Sequence, residues 1–197
     1  MQSNSRVLTI SDVLIPHTSL TRDVMLVVTF SLINAAAAQV SISLPFTPVP
    51  ITGQTFAVLL TGALLGSRLG AWSLLLYLAE GAAGLPVFAL GRSGLVTLLG
   101  PTAGYLIAFP AAAFAAGWLA ERGWDRRALT TALAMLVGNV VIYAGGVSWL
   151  ARFVGGLPEA VALGMAPFLI GDAIKLVLAA VLLPAGWAVI GRTRYPG

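Results

Sequence analysis

The chain has 197 residues, of which 58% are hydrophobic and only 9% are charged, whereas soluble domains carry roughly 25% charged residues. A soluble fold could not bury that much apolar surface, so the composition excludes a water-soluble protein and favours an all-α integral membrane protein. The net charge of +4 does not indicate a nucleic-acid partner, because the charges form short clusters between apolar segments, as they do in membrane proteins.

The apolar segments predict one transmembrane domain with six helices. A hydrocarbon layer about 30 Å thick is crossed by about 17 to 25 mostly apolar residues. Six apolar segments occur, at residues 24–40, 55–66, 71–83, 105–120, 129–150 and 166–190. Residues 1–22 are polar and mixed and lack the pattern of a signal peptide. We therefore expect a cytoplasmic N-terminal tail at residues 1–22 and the six-helix domain at residues 23–197.

Two segments rich in proline or glycine interrupt the helical pattern. Residues 44–54 contain the sequence PFTPVPIT, whose prolines make the loop stiff and suited to cover a pocket. Residues 84–104 are rich in glycine and proline but barely polar, so we expect them to fold back over the protein as a second outer loop. Only residues 67–70 separate the short second and third apolar segments, which predicts a helical hairpin.

The arginines predict the orientation in the membrane. Six crossings place both termini on the same side, and most arginines fall there: Arg6, Arg22, Arg68, Arg122, Arg126, Arg127, Arg192 and Arg194. Arg92 and Arg152 fall on the opposite side. Because cytoplasmic loops carry the excess of positive charge, we expect cytoplasmic N- and C-termini in a multi-pass protein of the cell membrane.

Asp172 and Lys175 are the ionisable residues of the last apolar segment, and they stand three residues apart. This spacing places both side chains on one face of a helix, within reach of each other. Ionisable groups inside a bilayer rarely face lipid and usually mark the path of a solute or ion. A carboxylate accepts hydrogen bonds and an ammonium donates them, so the pair suits a polar ligand with both donors and acceptors. The alternative is a structural ion pair between helices.

Further polar residues are candidate ligands for the same solute. Asn139 and Tyr143 are four residues apart on the fifth helix, which suits a pocket wall, although polar residues also form hydrogen bonds between membrane helices. Glu80 ends the third helix, either as a ligand or as an interfacial carboxylate. Arg92 is a candidate clamp for a carboxylate or a solvated loop charge, and Gln54 follows the proline-rich loop as a further candidate.

Small side chains on the first helix predict a surface that another helix can approach closely. Ser31 with Ala35, and Asn34 with Ala38, are each four residues apart. The two interpretations are packing within the bundle and docking of a partner protein. Under the second interpretation, the docking residues are Ser31, Ala35 and Ala38.

Enzymatic motifs are weak or absent. Residues 91–94 spell GxSG, a pattern found around the serine of intramembrane proteases, but such a serine needs a general base. The one histidine, His17, lies in the predicted cytoplasmic tail. The chain has no cysteine, no HExxH zinc pattern and no GxxxxGK(S/T) loop for ATP. We therefore expect no metal site, no bound cofactor and no nucleotide hydrolysis, and an intramembrane enzyme is only a remote alternative.

Four stretches of the sequence resemble the BioY family of biotin uptake proteins. They are PFTPVPITGQTFAVLLTGALLGSRLGAWSLLLYLAEGAAGLPVFA, GRSGLVTLLGPTAGYLIAFP, GNVVIYAGGVSWLA and GDAIKLVLA, in this order. The proline-rich loop followed by GLPVF and GPTxGY is specific to that family. The resemblance spans most of residues 34–183 and implies a six-helix substrate-binding subunit, or S component, of an energy-coupling factor (ECF) transporter.

This resemblance also implies a ligand and partners. The ligand would be biotin, captured at the outer face, and Asp172 and Lys175 match the aspartate and lysine that the family associates with biotin recognition. The partners would be a transmembrane coupling subunit and paired cytoplasmic ATPases, which would supply the ATP chemistry that this chain lacks. The other hypothesis is autonomous, ion-coupled biotin transport by a homo-oligomer, through Asp172 or Glu80.

Overall fold

The computed structural model describes residues 9–16 and 19–194, with side chains as far as residue 190. The regular structure of this part of the chain is helical apart from a short hairpin of β1 (Ser41–Ile42) and β2 (Ile51–Thr52), which confirms the predicted all-α class. The α-helices are α1 (Ile10–Leu14), α2 (Leu20–Gln39), α3 (Gln54–Leu65), α4 (Ser67–Ala82), α5 (Gly94–Leu99), α6 (Ala103–Ala120), α7 (Ala128–Leu150), α8 (Leu157–Gly164) and α9 (Leu169–Arg194). Single 3-10 turns occur at Ala89–Gly91, Trp124–Arg126 and Ala166–Phe168.

Helix α6 lies at the centre of the bundle, where α3, α4 and α7 all pack against it. Small residues permit the close approach of these helices. A Cβ atom added at Gly117 of α6 would lie 2.5 Å from backbone atoms of both Gly66 and Ser67, closer than real side chains come. The backbones are therefore nearly in contact at this level, as in membrane proteins whose helices associate through close packing.

Four stretches are long and apolar enough to cross a membrane: Leu20–Gln39, Ala103–Ala120, Ala128–Leu150 and Leu157–Ile190. Their outer surfaces are apolar too, since Ile170 and Val181 of α9 are 78% and 61% exposed. Helices α3 and α4 have 12 and 16 residues, which at about 1.5 Å per residue gives lengths of about 18 and 24 Å. They form the predicted hairpin, and each is shorter than the hydrocarbon layer.

One end of the bundle is filled by packed turns, and we call it the closed end. It comprises α1, the α3–α4 turn, the α6–α7 turn and the last turns of α9. Glu121, after α6, accepts hydrogen bonds from the backbone N–H and the hydroxyl of Ser67, at 2.7 and 2.9 Å. The indole N–H of Trp187 in α9 donates to Asp125 in the α6–α7 turn, at 2.6 Å. Side chains thus link the helices at this end directly to one another.

Part of the predicted N-terminal tail also packs at the closed end. Ile10 of α1 belongs to the hydrophobic core. Arg22, only 5% exposed, forms ion pairs with Asp12 at 3.1 Å and with Asp23 at 3.3 Å. Helix α1 and the start of α2 are therefore part of the bundle. The rest of that segment lies outside the described residues: 1–8, with Arg6, and 17–18, with His17.

The opposite end carries the outer loops, and we call it the cavity end. Strands β1 and β2 pair antiparallel, with Ser41 opposite Thr52, so the proline-rich loop lies at the tip of a hairpin. The hydroxyl of Thr47 in that loop donates to the carbonyl oxygen of Leu163 in α8, at 2.8 Å. The second outer loop is more regular than its composition predicted, because it contains α5. Together these loops surround a cavity.

Candidate binding site

The cavity has about 720 Å³ of empty space, part of it open to solvent, and it lies between α3, α6, α7, α9 and the two outer loops. Its polar lining residues are Thr52, Gln54, Thr55, Arg92, Thr97, Thr102, Tyr105, Tyr143, Asp172 and Lys175. The remaining wall is apolar, with Val49, Pro50, Phe88, Ala89, Leu106, Phe109, Ile142, Gly164 and Phe168. The cavity therefore combines one acid–base pair with a large apolar surface.

Asp172 enters the cavity from the first turn of α9 and is only 6% exposed. Its carboxylate accepts a hydrogen bond from the hydroxyl of Tyr143 and another from the hydroxyl of Thr55, at 3.2 Å. The ammonium of Lys175 lies 3.2 Å from the same carboxylate. Three donors thus surround one carboxylate, which offsets the cost of removing its charge from water.

Lys175 is the one lysine in the sequence, and its ammonium uses its three N–H groups within the protein. It donates to the backbone carbonyl oxygen of Thr52 at 2.9 Å, to the hydroxyl of Thr55 at 2.7 Å and to Asp172 at 3.2 Å. Because Thr52 belongs to β2, this contact ties the proline-rich hairpin to α9. A polar ligand that reached Lys175 would have to replace one of these three contacts.

The aromatic part of the wall is held in place by close packing. Phe88, from the second outer loop, is 1% exposed and packs edge-to-face against Tyr77, with ring centroids 5.5 Å apart. Its ring occupies the space that a side chain at Gly81 would need. Tyr105, which also lines the cavity, donates from its hydroxyl to the carbonyl oxygen of Gly164 at 2.7 Å, so the polar group of that ring is satisfied within the protein.

Gln54 lines the cavity and also supports its wall. Its side-chain amide donates to the hydroxyl of Tyr77 at 2.7 Å, and Tyr77 in turn donates to the carbonyl oxygen of Val87 at 3.1 Å. Gln54 is 2% exposed, so this chain of hydrogen bonds is buried. Through it, the start of α3 fixes the position of the second outer loop beside Phe88.

The structure places the remaining predicted ligands differently. Arg92 is exposed and lines the cavity from the second outer loop. Asn139 lines a separate pocket of about 200 Å³, which Lys175 also borders. Glu80 lies between α4 and α2, where it accepts a hydrogen bond from Ser31 at 3.1 Å. Of the predicted site residues, the main cavity therefore brings together Asp172, Lys175, Tyr143, Gln54 and Arg92.

The predicted docking residues of α2 face the interior of the bundle. Ser31 and Ala38 are fully buried, and Ala35 is half-buried against the hydrophobic core. Helix α2 packs on α4 and α3, so these small side chains allow close packing within the chain. Ser31 and Ala38 are not accessible to a partner in this packing, because their own bundle covers them.

Sequence reasoning did not single out three residues that shape the site. Thr55 bonds to both members of the ion pair, but a threonine in the first turn of a helix is too common to indicate a ligand. Thr52 contributes its backbone carbonyl oxygen, which no side-chain pattern reveals. Phe88 stands in an apolar segment, where nothing distinguishes a cavity wall from ordinary packing. These contacts depend on the tertiary arrangement.

A family model described as the BioY family matches residues 4–192. The chain belongs to the BioY family. Two similar proteins are aligned over most of their length. The probable biotin transporter BioY of Pyrococcus horikoshii is 44% identical over 161 residues, which cover 82% of this chain and 93% of that protein. The biotin transporter BioY of Rhizobium etli is 42% identical over 171 residues, which cover 82% and 91%.

The fold is similar to a solved structure described as the crystal structure at 2.1 Å of the S-component for biotin from an ECF-type ABC transporter. The TM-score is 0.74 at 25% identity, and the match covers 86% of this chain and 94% of that one. Like its relatives, this BioY-family chain is a multi-pass protein of the cell membrane, and its family consists of transport proteins rather than enzymes. The GxSG pattern lies in an outer-loop turn, where Gly91 and Gly94 have φ angles of 67° and 79°.

Proposed function

We propose that this chain binds biotin in the cavity and delivers it for uptake as the substrate-binding subunit of an ECF-type transporter. The observation that carries the proposal is the ion pair of buried Asp172 and half-buried Lys175 beside an apolar, aromatic wall. The names of its relatives and of the similar solved structure support the same ligand.

The chemistry of biotin suits this site. Biotin has a ureido ring with two N–H donors and one carbonyl acceptor, an apolar thioether ring and a tail that ends in a carboxylate. Asp172 is suited to accept a ureido N–H, and Lys175 is suited to donate to the ureido oxygen or to the carboxylate. Arg92 is suited to meet a carboxylate at the solvent-exposed side of the cavity, while Phe88 and Phe109 cover the apolar rings.

We further propose six membrane crossings, by α2, α3, α4, α6, α7 and α9, with both termini in the cytoplasm. Contacts support the grouping of the turns, because Glu121 bonds to Ser67 and Trp187 bonds to Asp125 at the closed end. The excess of arginine also lies in the turns of that end, which the positive-inside rule places in the cytoplasm. The cavity would then face the outside.

The proposed transport cycle requires partner proteins. The chain has no nucleotide-binding loop, so a transmembrane coupling subunit and cytoplasmic ATPases would supply the energy. A partner that docks on α2 would meet its exposed apolar face, which includes Val24, Met25, Val28 and Leu32. Bound biotin can favour a closed, docking-competent state only through a difference in affinity between the two states. The alternative is ion-coupled transport by a homo-oligomer without ATPases.

Binding of radiolabelled biotin to the purified protein in detergent tests the ligand and the site. The wild type should bind tightly, and Asp172→Asn and Lys175→Ala should each weaken binding by about 10- to 100-fold, since a hydrogen bond between the ligand and a charged group contributes about 1.5–3 kcal/mol. Glu159→Gln is a matched control, because Glu159 is exposed on α8 and does not line the cavity. Absence of binding by well-folded wild type would refute the proposed ligand.

Reconstitution in liposomes tests the partners. With the coupling subunit and ATPases present, uptake of biotin should require ATP, and Lys175→Ala should abolish it. Without them, the chain should bind biotin but not accumulate it. Accumulation by the chain alone, driven by an ion gradient, would instead establish the autonomous transporter.

A further inference from the structure

We propose that Gln39, the last residue of α2, is a positioning residue that holds the second outer loop closed over the cavity. Helix α2 contributes none of the described cavity-lining residues, so Gln39 acts from outside the site. The proposal rests on the proposed binding function for its effect on biotin, but the clamp itself is a property of the chain without ligand.

The side-chain amide of Gln39 bonds to three backbone groups of one loop turn. Its Nε2 lies 3.4 Å from the carbonyl oxygen of Val87 and 3.2 Å from that of Phe88. Its Oε1 accepts the backbone N–H of Gly91 at 3.2 Å. The same Nε2 also lies 3.2 Å from the carbonyl oxygen of Ala35 in its own helix.

This arrangement fixes the orientation of the Gln39 amide. Its nitrogen faces carbonyl oxygens, which accept hydrogen bonds, and its oxygen faces an N–H, which donates one. Rotating the amide by half a turn would set oxygen against carbonyl oxygens and lose every contact. The side chain therefore recognises the loop in this one conformation.

The clamped turn has a backbone conformation that needs support. Leu90 has a φ angle of 63°, in the left-handed region that is unfavourable for a residue with a side chain. The neighbouring Gly91, whose backbone N–H donates a hydrogen bond to Gln39, has a φ angle of 67°. Such conformations persist where surrounding contacts determine them. Gln39 supplies contacts on both sides of Leu90, at Phe88 and at Gly91.

The clamped turn also forms the wall of the cavity. Phe88, Ala89 and Arg92 line the cavity, and each is within two residues of a group that Gln39 holds. From the interior, the same turn is held by Tyr77, which donates to the carbonyl oxygen of Val87 at 3.1 Å. The loop is thus fixed from inside by a buried tyrosine and from outside by Gln39, which is exposed. Only the outer clamp can be released without opening the core.

The consequence is a link between α2 and access to the cavity. Moving the end of α2 away from the loop would break its contacts to Val87, Phe88 and Gly91 together and free the turn. Removing those contacts should therefore speed both entry and exit of biotin, with a smaller change in affinity than in either rate.

The test compares Gln39→Leu, which keeps the shape and removes the hydrogen bonds, with Gln39→Glu, which keeps the acceptor for Gly91 but loses both donors. Val40→Ala is the matched control. The Val40 side chain is 70% exposed, so its truncation should change neither readout. The first readout is hydrogen exchange of the segment 84–93 without ligand. The second is the dissociation rate of radiolabelled biotin, measured with an excess of unlabelled biotin.

We expect Gln39→Leu to speed exchange of the segment and dissociation of biotin by about tenfold, as the loss of about two net hydrogen bonds predicts. Gln39→Glu should lie between Gln39→Leu and the wild type or match Gln39→Leu. Unchanged exchange in a folded Gln39→Leu protein would overturn the clamp. Faster exchange with unchanged dissociation would overturn its control of access. If the wild type binds no biotin, the proposed function fails, and the exchange measurement still decides the clamp.

Discussion

Two buried aspartates at opposite ends of the bundle show how the same side chain is used differently. At the cavity end, Asp172 is 6% exposed and faces three donors around an open volume. At the closed end, Asp125 is 1% exposed and accepts one hydrogen bond, from Trp187, while its other oxygen has no hydrogen-bond partner. The proposed role of Asp172 is to bind the ligand, whereas Asp125 links α9 to the α6–α7 turn.

The packing around the two aspartates differs in the same way. Near the closed end, the backbone at Gly117 is almost in contact with the α3–α4 turn. At the cavity end, a side chain added at Gly171, next to Asp172, would meet nothing within 4 Å. The difference teaches that the backbone of α6 at Gly117 has no room for one further methyl group, whereas the first turn of α9 has room at Gly171.

The largest difference between the two ends is expected in the free energy of unfolding when one methyl group is added at each. Gly117→Ala would drive a Cβ atom into backbone that cannot move aside, so the free energy of unfolding should fall by about 3 kcal/mol or more. Gly171→Ala should be neutral or stabilising by up to about 1 kcal/mol, because alanine favours a helix. Thermal unfolding in detergent measures both, and equal losses would contradict the contrast in packing.

The next largest effect, on biotin affinity at one end and on thermal stability at the other, comes from deleting one hydrogen-bond donor to each aspartate. Tyr143→Phe removes a hydroxyl that positions Asp172 and should weaken biotin binding by up to about tenfold, since a mispositioned carboxylate loses about one net hydrogen bond to the ligand. Trp187→Phe removes the indole donor to Asp125 and should lower the melting temperature while the affinity stays the same. Titration calorimetry and thermal unfolding of the two variants separate these outcomes. If Trp187→Phe weakened binding as much as Tyr143→Phe, the two ends would not be independent.

The smallest effect concerns pH at the closed end. Burial raises the pKa of Asp125 above its ordinary value, against the opposing effect of the Trp187 hydrogen bond. The folded protein therefore holds this proton more tightly than the unfolded chain, so the contribution of Asp125 to stability is greatest below the ordinary pKa of the carboxyl and is lost as the pH rises through the raised pKa.

Asp125→Asn should remove that part of the pH dependence. Asparagine keeps an oxygen for Trp187 but carries no charge, so at neutral pH the variant should melt at the wild-type temperature or up to about 4 °C above it. Thermal unfolding across a pH series checks this, with biotin affinity as the control. A variant that melted well below the wild type at neutral pH would show that the Asp125 carboxylate stabilises the fold.

The sequence predicted the parts of this account that depend on local pattern. The apolar segments indicated the helices, with bounds close to those observed, and the spacing of Asp172 and Lys175 indicated that the two side chains meet. The spacing of Asn139 and Tyr143 could not show which of the two contacts Asp172. Both lie on one face of α7, and only the packing of α9 against that face decides that it is Tyr143. The burial of Ser31 and Ala38 likewise depends on which face of α2 meets α4.

Other features had no local signal. The contribution of Thr52 is a backbone carbonyl oxygen, and the clamp of Gln39 joins groups about 50 positions apart in the chain. The packing of α1 on the bundle through Ile10 was not predicted either. The composition of this segment is polar and mixed, as in an unpacked tail, and its few apolar side chains do not show that they pack in the core.

Biotin protection of Lys175 tests the central claim most directly, because this is the one lysine in the chain. The purified protein would be treated with an amine-reactive reagent, with and without saturating biotin, and modification of the Lys175 peptide would be quantified by mass spectrometry. The α-amino group is the internal reference. We predict that biotin slows modification of Lys175 by about tenfold or more, because saturating biotin leaves few sites unoccupied. Equal modification of Lys175 in protein shown to be saturated with biotin would place the ligand elsewhere and contradict the account.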